Sequence, residues 1–189
     1  MRIVAGRHRG RVLLAPEGRN TRPTADRVRE SLFNILSHGE PELRGARVLD
    51  VFAGSGALGF EALSRGAGHV AFIENDTSAY AIIHANAKKM NAAEGEVAIL
   101  RTDACAPAKA KAPFQFILLD PPYKSGLAKT ALPALLAQGW IAEDALIVVE
   151  VAAGEPFKSP LLGWNITDER TYGAARVVFL RREMGASGE

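Results

Sequence analysis

The sequence contains only one cysteine, Cys105, among its 189 residues, and its four histidines show no spacing typical of metal ligands. A single cysteine excludes an internal disulfide and fits a reducing compartment. We expect no bound metal. No apolar run approaches the roughly 20 residues that span a bilayer, and the first residues lack the apolar core of a signal peptide. These absences predict a cytoplasmic protein with no membrane partner, and we expect a monomer.

Lysine is absent from the first 29 residues, although arginine occurs there eight times against two acidic residues. This segment therefore has a charge of +6, which leaves −4 for the rest of a chain whose net charge is +2. Guanidinium groups bind phosphates through paired hydrogen bonds and stack on bases, which ammonium groups do not. A solubilising surface is the alternative, but we favour nucleic-acid contacts by all eight: Arg2, Arg7, Arg9, Arg11, Arg19, Arg22, Arg27 and Arg29.

Apolar runs alternate with helical patterns along the chain, which is typical of a parallel sheet covered by helices. Strands are predicted at residues 47–52, 69–73, 97–100, 114–120, 145–151, 165–167 and 176–180, and helices at 23–38, 60–66, 77–90 and 126–138. The fold class is therefore α/β, a Rossmann-like sheet of seven strands, the last one antiparallel, flanked by helices. A basic β-hairpin arm with two short strands occupies residues 1–22, the main domain residues 23–184, and a flexible tail residues 185–189.

A glycine-rich loop, Gly54-x-Gly56-x-x-Gly59, follows the first strand of the main domain and precedes a helix. This pattern also matches the dinucleotide-binding fingerprint, so alone it is a weak signal. Asp50, four residues before the first glycine, would repel a pyrophosphate bound at the helix N-terminus. S-adenosylmethionine carries no phosphate, and its ammonium and sulfonium groups favour a nearby carboxylate. We therefore expect S-adenosylmethionine rather than NAD.

Further acidic residues end the next two strands. Glu74 can accept hydrogen bonds from both hydroxyls of a ribose, for either cofactor. Asp103 can accept one from an adenine amino group, and the Ala104 N–H can be donated to the adenine ring. A row of acidic strand ends suits a cationic cofactor better than an anionic one.

The strand at residues 114–120 ends in Asp120-Pro121-Pro122-Tyr123. The two prolines prevent the chain from continuing as a helix or as a paired strand. The Asp120 carboxylate and the Tyr123 ring are therefore held at the carboxyl end of a central strand, where open α/β sheets bind ligands. The amine of a planar base is a poor nucleophile, and acceptors on Asp120 and a proline carbonyl would favour its pyramidal form. Tyr123 can stack on the base. A strand end capped by a simple Pro-Pro turn is the alternative.

The sequence resembles the RsmD family of class I S-adenosylmethionine-dependent methyltransferases. Five segments carry the resemblance: Asp50–Ala67, Glu74-Asn75-Asp76, Asp120–Tyr123, Arg2–Gly6 and Arg22–Glu30. The resemblance implies methylation of guanine N2 in bacterial small-subunit (16S) ribosomal RNA, within an assembling or assembled subunit. It implies catalysis at Asp120, Pro121, Pro122 and Tyr123. It implies cofactor contacts at nine residues: Asp50, Ala53, Gly54, Ser55, Gly56, Glu74, Asn75, Asp103 and Ala104. The family pattern places a threonine after Tyr172-Gly173, where this chain has Ala174.

Three other functions remain open from the residues alone. N6-adenine methylation of DNA uses a similar loop, although this chain has no insertion large enough for a separate target-recognition domain. A protein-glutamine methyltransferase would not need the arginines. A nucleic-acid-binding module with a vestigial cofactor site would not need all four acidic strand ends.

Overall fold

The computed structural model describes residues 1–15 and 23–183. Four helices and seven strands follow one another in these ranges. In chain order they are α1 (Pro23–Leu36), β1 (Arg47–Val51), α2 (Ala57–Ser64), β2 (His69–Glu74), α3 (Thr77–Met90), β3 (Val97–Arg101), β4 (Phe114–Leu119), α4 (Leu127–Ala137), β5 (Ile141–Ala152), β6 (Trp164–Tyr172) and β7 (Ala175–Arg182).

Within the described residues the strands form one seven-stranded sheet in the order β3-β2-β1-β4-β5-β7-β6. The strands from β1 to β5 pair in parallel, while β7 pairs antiparallel with both β5 and β6. This confirms the predicted seven-stranded α/β sheet whose last strand is antiparallel. Because the order reverses between β1 and β4, the carboxyl ends of these two strands flank a crevice.

Two apolar layers bury the sheet because successive side chains of each strand point to opposite faces. One face, with Val48, Phe116 and Val148, is covered by α1, α2 and α3. The opposite face, with Leu49 and Ile117, packs against α4 and the chain on either side of it. The near-continuous apolar runs that predicted these strands thus reflect burial on both faces.

The N-terminal hairpin is less regular than the two predicted strands, and that prediction was wrong in detail. Its only ladder pairing in the described residues is the bridge between Arg2 and Val12. Ile3 and Leu13 are buried in the layer that contains α2 and α3. At Gly6, φ is +81° and a β-carbon would lie 1.9 Å from the Ser64 carbonyl oxygen, so only glycine permits this close packing. The hairpin therefore lies against the main domain.

Several predicted features fall outside the described residues: the loop of residues 16–22, with Arg19 and Arg22, and the tail of residues 185–189. Observed boundaries differ from the predicted ones mostly by a few residues. The largest difference is β6, where nine residues replace a predicted three, because an edge strand of largely exposed polar residues gives no apolar signal. No helix in the described ranges is long and apolar enough to cross a membrane.

Candidate active site

Asp50, near the end of β1, is buried beneath the glycine loop. Its side chain is 1% exposed, and its Oδ2 accepts the N–H of Gly59 at 2.8 Å. Because Gly59 lies in the first turn of α2, the carboxylate also interacts favourably with the positive end of that helix. Burial raises the pKa of Asp50 well above its usual range, the Gly59 bond opposes that rise, and the charges of Asp120 and Glu74 add to it.

Glu74, at the end of β2, fastens the glycine loop to the neighbouring strand. Its Oε2 accepts the N–H of Gly54 and its Oε1 accepts the N–H of Asp76, both at 2.8 Å. A carboxylate has about four lone-pair sites, so two acceptor positions are left for a ligand. Phe52 at the start of this loop has a φ of +61°, a conformation that bulky residues rarely adopt. Strand and loop together therefore hold this backbone in one shape.

A small cavity of about 70 Å³ lies beside this loop. None of the described residues that line it is a lysine or an arginine, whereas two are carboxylates. The negative charge of these side chains favours a cationic group and disfavours a phosphate. The lining residues are Met1, Ala15, Asp50, Phe52, Ala53, Ser55, Ala57, Leu58 and Asp120.

Six expected cofactor residues do not line this cavity: Gly54, Gly56, Glu74, Asn75, Asp103 and Ala104. The last three follow β2 and β3 along the same edge of the sheet. Asn75 is exposed and Ala104 is buried. Asp103 is exposed, and its Oδ1 accepts the N–H of Cys105 at 2.9 Å. Burial, with a further contribution from Asp103, raises the pKa of the Cys105 thiol, which is the opposite of what a nucleophilic cysteine needs.

The loop after β4 is fixed by hydrogen bonds to its neighbours. The Asp120 N–H is donated to the Val51 carbonyl at 3.4 Å, which ties the loop to β1. The Tyr123 hydroxyl donates to Oε1 of Glu150 at 2.7 Å. The Lys124 N–H donates to Oε2 of Glu155 at 3.0 Å. These bonds connect the loop to β1, to Glu150 of β5 and to Glu155, and the stiffness expected from the two prolines stays a prediction.

A larger cavity of about 330 Å³ opens beside this loop. Its floor is the sheet face with Leu118, Val148 and Val177, and one wall is α1. The turn between β6 and β7 forms part of its lining, and the Tyr172 hydroxyl lies 2.6 Å from the Ser31 Oγ of α1. Ala174, at the position where the family pattern has threonine, also lines this cavity. Its polar lining includes Arg29, Asp120, Tyr123, Glu150 and Tyr172.

Asp120 is common to the linings of the two cavities. Met1, Ala57 and Leu58 also line both cavities, and Asp120 is the carboxylate among the shared residues. A group bound in the small cavity and a planar ring bound in the large one would therefore meet beside this carboxylate. Sequence reasoning missed Glu150, which lies 27 residues after Tyr123 and reaches it only through the pairing of β4 with β5. Its one sequence signal is a carboxylate that interrupts the apolar run of β5, as Asp120 ends that of β4.

Arg29 corrects the predicted set of RNA-binding arginines. Its side chain is 4% exposed, and its guanidinium lies 3.7 Å from Glu61 and 3.0 Å from Asp26. It also donates to the Arg2 carbonyl oxygen at 2.6 Å. Since these groups hold it inside the protein, Arg29 joins α1 to α2 and to the hairpin rather than facing a phosphate.

The other described arginines of this set are exposed, but two of them already have protein partners. Arg7 pairs with Glu96 at 2.6 Å, and Arg11 donates to the Lys89 carbonyl oxygen. The remaining three, Arg2, Arg9 and Arg27, line one open groove of about 310 Å³ between the hairpin and α1. Asp26 and Glu30 line the same groove and offset part of its positive charge. Across residues 1–15 and 23–183, no group of three His, Cys, Asp or Glu side chains is placed to hold a metal ion.

The sheet order and the position of the crevice define the class I methyltransferase fold. The chain superimposes with a TM-score of 0.82 on a putative methyltransferase, yhhF, from Escherichia coli, at 35% identity over 97% of this chain and 98% of that one. A magnesium protoporphyrin IX methyltransferase from Synechocystis, solved with bound S-adenosylmethionine, shares the fold alone, with a TM-score of 0.62 at 13% identity over 84% of this chain and 80% of that one.

Sequence comparisons identify the family. The model of the family described as Conserved hypothetical protein 95 matches residues 1–181. The putative rRNA methyltransferase YlbH of Bacillus subtilis is 37% identical over 96% of this chain and 99% of its own length. Ribosomal RNA small subunit methyltransferase D of Escherichia coli is 36% identical over 100% of this chain and 92% of its own. The chain therefore belongs to this family of methyltransferases, the RsmD family.

Proposed function

We propose that this protein transfers a methyl group from S-adenosylmethionine to the N2 amine of a guanine in bacterial small-subunit (16S) ribosomal RNA. The single observation that carries this proposal is the placement of Asp120 in the linings of both cavities. One cavity suits a cationic cofactor, and the other suits a planar base. Membership of the RsmD family supports the substrate, since the Escherichia coli relative is named for ribosomal RNA of the small subunit.

Asp50 and Glu74 are the residues that would hold the cofactor's charged and ribose groups. The buried carboxylate of Asp50 is destabilised by the neighbouring charges of Asp120 and Glu74, and a cation would relieve that repulsion. Asp103 and Ala104, with the exposed Asn75, are placed further along the edge for an adenosine. When bound, the cofactor supplies a methyl group on a positively charged sulfur.

Asp120 acts on the acceptor amine. A carboxylate oxygen and the Pro121 carbonyl accept hydrogen bonds from the N2 hydrogens, which favours a lone pair directed out of the base plane. That lone pair would attack the methyl carbon, the carbon–sulfur bond would break with its electron pair left on the sulfur of the departing cofactor, and one N2 proton would leave through Asp120 to water. A methylated amine loses its proton readily, so a strong base is not required. Tyr123 provides the stacking face for the base.

The RNA backbone would lie across the groove of Arg2, Arg9 and Arg27. The helix α1 supplies Arg27 to this groove and Leu32 to the wall of the large cavity. An RNA strand whose phosphates follow the groove would therefore pass beside the large cavity. Assembled or assembling subunits are the expected substrate, which would place the protein in the cytoplasm.

The test is transfer of a tritiated methyl group from S-adenosylmethionine to small ribosomal subunits that lack the modification, followed by nucleoside analysis. We expect label in N2-methylguanosine for the wild-type protein, and a rate on the order of 10²–10³ lower for Asp120→Ala. Label in N6-methyladenosine would identify the adenine alternative. The proposal would be refuted if neither naked small-subunit RNA nor the particles became labelled.

A further inference from the structure

We infer that Glu150 is a specificity-determining residue, whose carboxylate accepts the N1–H of the target guanine while Asp120 engages N2. This inference rests on the proposed function. It assigns the choice between bases to the pair of carboxylates at the ends of β4 and β5.

The register of β4 and β5 brings the two carboxylates together. Leu118 pairs with Val148 and Leu119 pairs with Val149 in this parallel ladder. The same register, continued one residue past the end of β4, would bring Asp120 beside Glu150. Registered partners in neighbouring strands point to the same face of the sheet. Consistent with this, all four of Leu118, Asp120, Val148 and Glu150 line the large cavity.

Val177 completes the surface under Glu150. It pairs with Glu150 across the β5–β7 ladder and also lines the cavity. The floor thus carries an apolar strip of Leu118, Val148 and Val177, and Asp120 and Glu150 line the same cavity. A flat ring lying over the strip would direct one edge toward both carboxylates.

Guanine has the edge that matches this pair. Its N1–H and N2 amine are adjacent donors, and a carboxylate accepts from either of them. Adenine has an acceptor lone pair at N1, which would face the Glu150 carboxylate and be repelled. Rejection of a base that cannot make the bond is strong when a site's polar group would be left unpaired. Two neighbouring acceptors therefore favour guanine.

Glu150 also binds Tyr123, through Oε1 at 2.7 Å. A carboxylate has about four lone-pair sites, so this bond leaves acceptor capacity for the base. A purely structural Glu150 would only support Tyr123, and substitution separates the two roles.

The experiment compares methyl transfer to small-subunit RNA that carries either guanine or 2-aminopurine at the modified position, assembled into particles. 2-Aminopurine retains the C2 amine but has a lone pair in place of the N1–H. The ratio of the two kcat/KM values reports how the protein reads N1. Comparing that ratio between variants cancels the intrinsic reactivity of the two amines.

The decisive variant is Glu150→Gln. Its amide oxygen still accepts from Tyr123, but its NH2 group would face the base. We expect the guanine to 2-aminopurine ratio to fall on the order of 10- to 100-fold, the effect of losing one hydrogen bond to a charged group. Glu150→Ala, which removes the acceptor altogether, should lower the ratio in the same direction.

The matched control is Tyr123→Phe, which breaks the bond between Tyr123 and Glu150 but keeps the carboxylate. It should slow both substrates equally and leave the ratio unchanged. Calorimetric titration with S-adenosylmethionine verifies that each variant is folded. An unchanged ratio in both Glu150 variants would overturn the inference, even with wild-type methylation of guanine N2 intact. Absence of guanine methylation by the wild-type protein would instead refute the proposed function.

Discussion

The two halves of the carboxyl edge of the sheet hold their carboxylates in different ways. In the cofactor half, the ends of β1, β2 and β3, Asp50 and Glu74 accept backbone N–H groups at 2.8 Å and Asp103 accepts one at 2.9 Å. In the target half, the ends of β4 and β5, Glu150 accepts from the side chain of Tyr123. The associated cavities measure about 70 Å³ and about 330 Å³.

Under the proposed function, this difference matches what each half would receive. Backbone donors fix the carboxylates of the cofactor half before any ligand arrives, so little ordering remains for binding to impose. The target half must admit a base that is still attached to a large RNA. A roomy apolar floor with side chains at its end allows this entry, and the base completes the set of hydrogen bonds.

Asp120, at the boundary of the halves, should give the largest effect. Asp120→Ala removes the acceptor for the amine and should lower kcat on the order of 10²–10³. Asp120→Asn keeps an acceptor oxygen of the same shape, so partial activity should remain. Single-turnover transfer at saturating cofactor measures both. Equal rates for Asp120→Ala and the wild-type protein would show that the two halves do not meet at this residue.

Arg29 and Arg27 form a matched pair on α1, one enclosed by the protein and one exposed. Arg29→Ala leaves the buried Glu61 without one of its cations, which should lower the free energy of unfolding by about 3 kcal/mol. Arg27→Ala should change it by less than about 0.5 kcal/mol. Urea denaturation of the two variants checks this. Similar stabilities would mean that Arg29 has no structural role.

These two arginines also show what the sequence can and cannot predict. The strands of the sheet were predictable because a strand buried on both faces needs a continuous apolar run. The glycine loop and Asp120–Tyr123 were predictable from their own local sequence motifs. Arg29 and Arg27 belong to the same arginine-rich segment and cannot be told apart by composition. The burial of Arg29 depends on Glu61, 32 positions away in the sequence. Tyr123 and Glu150 likewise meet only through strand pairing.

The cofactor half should respond to pH through Asp50. Because its pKa is raised, the folded protein keeps a proton that the unfolded chain releases, and stability should fall as pH rises from the unfolded pKa through the folded one. A cationic cofactor favours the ionised form, so cofactor affinity should rise across the same range, with release of a proton. Calorimetry in buffers of different ionisation enthalpy measures that proton.

Asp50→Asn should remove this pH dependence and weaken S-adenosylmethionine binding roughly 10- to 100-fold, because the charge that attracts the cofactor is lost. Thermal unfolding across the same pH range, compared with the wild-type protein, isolates the contribution of this carboxyl group. A variant with wild-type affinity and an unchanged pH profile would show that Asp50 serves only to cap α2.

The smallest effect should come from the groove. Replacing both Arg9 and Arg27 with alanine should flatten the salt dependence of RNA binding by roughly one unit of slope per lost phosphate contact, without changing cofactor affinity. Arg182→Ala, an exposed arginine on β7, is the control and should leave the slope unchanged. Equal slopes for the double variant and the control would place the RNA elsewhere.

The division of the edge into two halves is tested most directly by the dissociation constant of S-adenosylmethionine, measured by calorimetry for Asp50→Asn and Tyr123→Ala side by side. The account predicts a constant roughly 10- to 100-fold higher for Asp50→Asn. Tyr123→Ala should keep the wild-type constant and instead raise KM for RNA, through a loss of about 1–3 kcal/mol of stacking. A cofactor constant that rises equally in both variants would contradict it.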